Sequence, residues 1–429
     1  METPIFDFVQ NYKEMRLHMP GHKGKGPLGI EALDITEVKG ADSLYEAEGI
    51  IAQSEKNVTR LFGTRNTLYS SEGSSQCIRA MVYMATYLQK NKRILAARNV
   101  HKAFVYAASL CDAEVDWLYD TNSDSLCACQ ISKEQVEQAL QKEKYGAVYL
   151  TSPDYLGNVA DIQGIAQVCH KYSTLLLVDN AHGAYLHFLE DSLHPMDLGA
   201  DLCCDSAHKT LPVLTGGAYL HVSKNLEDQY LLAKHALSLF GSTSPSYLIL
   251  SSLDCCNAYL ENCCAELKMT IEKINRIKEK LVNQGWDILS SDPLKLTIRT
   301  QGNIVANLLR EHHMECEYSD DRHLVLMLTG LNDFEQVEKI VDILKDPILV
   351  KDAFRISLPE SKRVCSIREA VFAISEEVAL EDSLGRICAT PTVSCPPAIP
   401  IVVSGEVITR EAIECMKHYH IENIQVIKV

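Results

Sequence analysis

Leu175-Leu176-Leu177-Val178-Asp179 and, thirty residues later, Asp205-Ser206-Ala207-His208-Lys209-Thr210 decide how this chain folds. The first is a short, unbroken apolar run that ends in a carboxylate. Such a run fits a strand buried on both faces, with the acid at its carboxyl end. The second follows another apolar run, Leu202-Cys203-Cys204, and sets a lysine beside Ser206 and His208. Working outward, β-rich runs recur at 93–97, 147–151 and 218–222, with amphipathic stretches between several of them, such as Ile78, Val82, Tyr83 and Leu88. This alternation predicts an α/β fold with a mostly parallel sheet covered on both faces. Ligands of such sheets bind beyond the carboxyl ends of the strands, which is where Asp179 falls.

The rest of the chain divides around that core. Residues 1–45 are rich in Gly, Pro and His (His18-Met19-Pro20-Gly21-His22-Lys23-Gly24-Lys25-Gly26) and read as an N-terminal arm or loop rather than a core element. Residues 46–275 form the large domain, with long helices over 246–283, and residues 276–429 form a small C-terminal α+β domain. The 429 residues carry 41 Lys and Arg against 57 Asp and Glu, a net charge of −16, which argues against a nucleic-acid partner. No apolar run approaches the roughly 18 residues of a membrane span, and Met1-Glu2-Thr3-Pro4 lacks a signal-like start, so a cytoplasmic protein without membrane association is expected. Sixteen cysteines include the adjacent pairs Cys203-Cys204, Cys255-Cys256 and Cys263-Cys264, but no paired Cys-x-x-Cys knuckles. They read as reduced, mostly buried thiols, with no metal site.

The chemistry-bearing residues are weak signals one by one. Asp179 alone reads as a cap on the next turn. Ser70-Ser71-Glu72-Gly73-Ser74-Ser75-Gln76 precedes a helical stretch and reads either as an ordinary N-cap or as a phosphate loop, where free N–H groups and the helix dipole attract an anion. His101 follows a strand and reads as a loop histidine or as a ring able to lie on a flat ligand. Thr215-Gly216-Gly217 would let the chain turn back towards a ligand at Lys209. Their order in one domain is the strong signal: Gly/Ser loop, His, strand-Asp, Ser-x-His-Lys. A desolvated lysine amine, a carboxylate opposite a pyridine nitrogen and a phosphate loop are what pyridoxal 5'-phosphate requires.

Across nearly its whole length the sequence resembles the ornithine/lysine/arginine decarboxylase family of aspartate-aminotransferase-like, fold type I pyridoxal phosphate enzymes. The resemblance is carried by Leu17-His18-Met19-Pro20-Gly21-His22-Lys23-Gly24, Gly40-Ala41-Asp42-Ser43-Leu44, Gly73-Ser74-Ser75 and Arg98-Asn99-Val100-His101-Lys102. It continues in Thr151-Ser152-Pro153-Asp154-Tyr155-Leu156-Gly157, Val178-Asp179-Asn180-Ala181-His182-Gly183, Ser206-Ala207-His208-Lys209-Thr210-Leu211, Ser242-Thr243-Ser244-Pro245 and Pro396-Pro397-Ala398-Ile399-Pro400. The chain resembles the short type, without the N-terminal receiver-like domain of the large acid-induced members. It departs from the usual pattern at Asn180 and Tyr185, where short members often have Glu and His, and at Cys395 and Ala398, where Tyr and Gly are usual. These departures bear on the substrate more than on the cofactor.

The resemblance implies roles. Lys209 would carry pyridoxal phosphate, Asp179 would pair with its pyridine nitrogen, and His101 would stack on its ring. Gly73, Ser74, Ser75, Ser206 and His208 would hold the phosphate, and His182 would lie near the phenolic oxygen or the substrate carboxylate. Ser242 and Thr243 would reach the cofactor of a second subunit, in a homodimer or dimer of dimers with shared active sites. The expected activity is decarboxylation of arginine, lysine or ornithine to the amine and CO2, related to polyamine biosynthesis. Glu406, Asp154, Glu46 and Glu48 are candidates for the distal cation of that substrate. The alternatives are another pyridoxal phosphate reaction on an amino acid (aminotransferase, lyase or racemase) and a non-catalytic cofactor-binding homologue.

Overall fold

The computed structural model describes residues 1–120, 123, 125–289, 292–350, 360–392 and 397–428. The chain divides into two compact units, one of residues 1–95, 136–150 and 162–264, the other of residues 96–135, 151–161 and 265–429. Cys395 and Pro396 of the proline motif lie outside the described residues.

Among the described residues, seven strands alternate with helices up to residue 222: β1 (Asn66–Ser70), β2 (Arg93–Ala97), β3 (Glu114–Leu118), β4 (Ala147–Thr151), β5 (Leu175–Asp179), β6 (Leu202–Asp205) and β7 (Ala218–Val222). In the first unit the sheet order is β1-β7-β6-β5-β4-β2. Parallel pairing of β5 and β6 sets Asp179 beside Cys204. β7 runs antiparallel to both β6 and β1, so the expected parallel core carries an antiparallel edge. Every residue of β5, β6 and β7 is buried, which is why these runs are apolar without alternation. The helix Gly73–Gln89 packs on β1, β5, β6 and β7.

Residues 1–45 are not loop throughout. Pro4–Gln10 is a helix that buries Ile5 and Val9, one turn apart on a single face. Proline at its start needs no N–H partner there. The next two N–H groups, of Ile5 and Phe6, donate to Asp254 Oδ2 at 2.8 and 3.1 Å. That carboxylate comes from the helix Tyr247–Leu260, which with Cys264–Asn283 makes up the long helical stretch read over 246–283.

The second unit contains the α+β region. β8 (Asp287–Leu289), β9 (Lys295–Arg299), β10 (Tyr318–Ser319) and β11 (His323–Met327) form a sheet in the order β10-β11-β9-β8, antiparallel throughout. It packs with the helix Gly302–Glu311 around Trp286, Leu296, Ile298 and Leu309. β12 (Ser375–Ala379), β13 (Cys388–Thr390) and β14 (Asn423–Ile427) form a second sheet, order β12-β14-β13. Each described cysteine is a free thiol, as expected of a reduced chain. Among the described residues no helix is long and apolar enough to cross a membrane.

Phe62 is the hub of the first unit's aromatic core. It is 1% exposed, and the rings of Phe188, His194, Tyr219 and His221 have centroids 5.3, 5.4, 5.6 and 4.7 Å from its own. Phe62→Ala should lower the unfolding free energy by about 3–5 kcal/mol. Tyr87→Ala, at a side chain 63% exposed, should change it by less than about 0.5 kcal/mol, with urea denaturation reading both.

Candidate active site

β6 ends at Asp205, and the chain turns at once into the short helix Ala207–Thr210. This places Lys209 Nζ 2.9 Å from His182 Nε2, three residues past the end of β5. Asp179, the last residue of β5, is 2% exposed. Its carboxylate is held from both sides of the sheet. The Tyr149 hydroxyl on β4 donates to Oδ2 at 3.3 Å, the Cys204 thiol on β6 approaches Oδ1 at 3.7 Å, and the Ala181 N–H donates to Oδ1 at 3.2 Å. Burial pushes the Asp179 carboxyl above the usual range, and the Lys209 cation opposes that rise.

A second corner of the same unit presents an uncapped helix N-terminus. The helix Gly73–Gln89 has Glu72 at its N-cap, and no side chain caps its first turn. Gly73 has φ +71°, and a Cβ there would meet nothing within 4 Å, so the helix start faces open space. Ser206 Oγ donates to Ser74 Oγ at 2.8 Å, which brings the two serine motifs together. The Thr215-Gly216-Gly217 turn does fold back onto this loop. The Gly73 N–H donates to Gly216 O at 2.7 Å, and a Cβ on Gly216 would sit 2.9 Å from Ser71 O. His208 Nδ1 donates to Gly217 O at 2.9 Å, and burial lowers its pKa, favouring the neutral ring. Ser75 is half-buried. Ser242 and Thr243 are exposed, and the Ser242 N–H donates to Glu72 Oε1 at 2.7 Å. A helix N-terminus with serine hydroxyls, a lysine amine and a buried carboxylate in one unit fits a pyridine aldehyde bearing a phosphate.

A buried network centred on Asp205, four residues before Lys209, has no motif in the sequence. Asp205, 0% exposed, accepts through Oδ2 from His194 Nε2 and His221 Nε2, both at 3.0 Å, and through Oδ1 from Asn180 Nδ2 at 2.7 Å. Burial alone would raise its carboxyl, but the two imidazoles hold it well below the usual range. The three ligand atoms cluster closely enough for a metal ion. The His194 tautomer points the other way. His194 Nδ1 accepts from the Met196 N–H at 3.3 Å, so its proton resides on Nε2 and is donated to Asp205. A metal-bound imidazole donates from its other nitrogen instead. His221 Nδ1 meets the Thr67 hydroxyl at 2.8 Å, a contact in which either partner can donate.

Three of the remaining candidates belong to the second unit. His101 belongs to the second unit, where Nδ1 accepts from the Ala103 N–H at 3.1 Å and caps the helix Lys102–Cys111. Also in that unit, Asp154 accepts from the Asn158 N–H and Nδ2, and burial pushes its carboxyl up to about 6. Glu406 accepts from the Val403 N–H at 2.8 Å and lies 3.5 Å from Arg98 Nη2. Arg98 donates to Pro400 O and Ile401 O at 2.7 and 2.8 Å. Ala398, where relatives usually have Gly, keeps a left-handed φ of +58° and accepts from the Lys102 N–H. Glu46 and Glu48 are exposed, on the first unit.

Comparison with known proteins gives two family matches: Orn/Lys/Arg decarboxylase, major domain, over residues 3–300, and its C-terminal domain over residues 351–423. Uncharacterized protein YaaO of Bacillus subtilis is 29% identical, over 96% of this chain and 93% of its own length. Arginine decarboxylase of the same organism is 29% identical over 96% and 92%. The crystal structure of lysine decarboxylase LdcF from Francisella novicida superposes with a TM-score of 0.82 at 17% identity, covering 99% of this chain and 80% of that one. The fold is therefore the α/β, fold type I architecture expected from the sequence, with a large mixed sheet and a small C-terminal domain.

Lys209→Ala removes the cation that opposes the rise of the Asp179 carboxyl. In the apo-protein its carboxyl stretch should then titrate at higher pH than in the parent, as read by difference infrared spectroscopy against Asp179→Asn. A carboxyl whose folded pKa exceeds its unfolded one favours the folded state at low pH. That contribution is lost as pH rises from the ordinary carboxylate range through the folded value, and the loss should be larger in Lys209→Ala.

Proposed function

The chain belongs to the Orn/Lys/Arg decarboxylase family, and from that premise we propose that it is a pyridoxal-phosphate-dependent decarboxylase of a basic amino acid, releasing CO2 and the corresponding amine. The observation that carries this reading is the meeting of Lys209 with His182 at 2.9 Å in the same unit as the buried Asp179 carboxylate.

Lys209 would hold the cofactor's aldehyde carbon and Asp179 its pyridine nitrogen. The first turn of Gly73–Gln89, with Ser74, Ser75, Ser206 and His208, would hold the phosphate, and His101 is assigned by its motif. When bound, the cofactor supplies an electron sink for the pair left at Cα as CO2 departs. Asp179, raised by burial despite the nearby Lys209 cation, would gain from a protonated ring nitrogen and thereby keep that proton in place. His208 already spends Nδ1–H on Gly217, so a phosphate dianion would draw a second proton to Nε2. Lys209 Nζ, hydrogen-bonded to His182, is the group placed to deliver a proton to Cα, and His182 is placed to resupply it. Exposed Ser242 and Thr243 are available to a second copy, in keeping with a homodimer that shares its sites.

Incubation of the holoenzyme with arginine, lysine, ornithine and their D-isomers should give CO2 and one matching amine by mass spectrometry, with arginine the first to assay. Borohydride followed by peptide mapping should label Lys209. Lys209→Ala should abolish both, and Asp179→Ala should lower kcat by about 100-fold or more. CO2 from none of the panel, or a product that requires an added keto acid, would overturn the assignment.

A further inference from the structure

Asn180 and Asp205 are each the immediate neighbour of a residue assigned to the cofactor: Asn180 follows Asp179, and Asp205 precedes Ser206. Their side chains meet at 2.7 Å, fully buried. We infer that this hydrogen bond is the positioning tie that sets Lys209 against His182. The inference rests on the reading of Lys209 and Asp179 given above.

The tie is directional. Asp205 is an acceptor at both oxygens, facing His194 and His221 through Oδ2 and Asn180 through Oδ1, so position 180 has to supply a donor. Asn180 is in turn fixed to the turn that carries His182. Its N–H donates to Cys204 O at 2.9 Å, its carbonyl accepts from the Gly183 N–H at 2.8 Å, and a Cβ on Gly183 would lie 2.1 Å from Asn180 Oδ1. The turn 180–183 is thus tied to the end of β6, from which the chain runs straight into Ser206 and Lys209. Loss of the tie leaves the main-chain bond from Asn180 to Cys204 O but no side-chain bond between the two turns, and the 2.9 Å contact between Lys209 and His182 spans them. Asn180 is also one of the positions at which this chain departs from the Glu usual in short relatives. An acid there would face Asp205 carboxylate to carboxylate.

Reversing the pair provides the test. In Asn180→Asp two carboxyls meet at a buried site and share a proton at low pH. The titratable groups around them are Asp179 on β5, His194 in the loop before β6, Cys203 and Cys204 on β6, His221 and Tyr219 on β7, and Cys77 on the helix Gly73–Gln89. Binding of pyridoxal phosphate to the apo-protein, followed by fluorescence, should weaken at least tenfold more between pH 6 and pH 9 in this variant than in the parent. Asp205→Asn removes the charge that faces the two imidazoles and obliges the Asn180 amide to turn and accept, so it should weaken binding by a similar factor at every pH. In Asn180→Asp/Asp205→Asn the amide at 205 donates to the acid at 180, while its oxygen still accepts from both imidazoles. Affinity and apo-protein melting temperature should return most of the way to the parent values, and the excess pH dependence should vanish.

A double variant no better than the worse single one, unfolded included, overturns the inference, as does an Asn180→Asp variant that binds like the parent at every pH. Failure of the functional reading itself looks different, because the parent would then leave Lys209 unlabelled by borohydride in the presence of pyridoxal phosphate.

Discussion

Two carboxylates end neighbouring parallel strands, and their opposite surroundings organise everything else. Asp205 is 0% exposed and ringed by donors: two imidazole N–H groups and an amide. A buried charge persists only when it is paired and fully hydrogen-bonded, and Asp205 meets that condition within the fold. Asp179 is buried to nearly the same degree but has a phenol, a thiol and one backbone N–H. These are weaker donors, so its carboxyl is pushed up where that of Asp205 is held down. The first carboxylate is a completed structural element. The second is a group whose hydrogen bonds and nearby Lys209 do not offset its burial, so a protonated ring nitrogen would stabilise its charged form.

The sheet explains why both residues are where they are. Parallel pairing of β5 and β6 brings Asp179 level with Cys204, so the turns after the two strands leave the sheet side by side. One carries Asn180 and His182, the other Ser206 and Lys209. The antiparallel β7 supplies His221 from the far side of β6, and its preceding turn, through Gly216, pins the start of the helix Gly73–Gln89. Backbone topology alone therefore delivers amine, carboxylate and helix N-terminus to one end of one sheet, and the side-chain network behind Asp205 fixes their register.

Sequence alone revealed the strands whose burial on both faces forces an apolar run, β4 to β7 and β2. It did not reveal β1, written Asn66-Thr67-Leu68-Tyr69-Ser70, or β3, whose Glu114 and Asp116 break the apolar signal. The helix Pro4–Gln10 was hidden because it depends on a carboxylate about 250 residues away. Within the site, Lys209, Asp179, Ser74 and Ser206 were legible from their order along the chain and His182 from the family resemblance alone, although neither settled their roles. Tyr149 and Cys204 were not, since each looks like ordinary strand filling until the sheet sets it beside Asp179. Asp205, His194 and His221 were invisible for the same reason: a carboxylate and two histidines scattered over 28 positions spell nothing until the loop after β5 and the return of β7 converge. Local pattern records which face a residue takes, whereas a polar network records which strands are neighbours.

The same accounting of charge separates the acids once considered for the substrate's distal cation. Glu406 is 2% exposed and already lies against the Arg98 guanidinium, which in turn donates to the carbonyls of Pro400 and Ile401. To take a substrate cation it would have to abandon a buried one, leaving Arg98 uncompensated, a loss that ordinarily costs more than a new ion pair returns. Asp154 is buried, and both of its oxygens already hold Asn158. Glu46 and Glu48 are exposed and lie on the unit that carries Lys209. Of the four, these two are the acids that are not already engaged in a buried network.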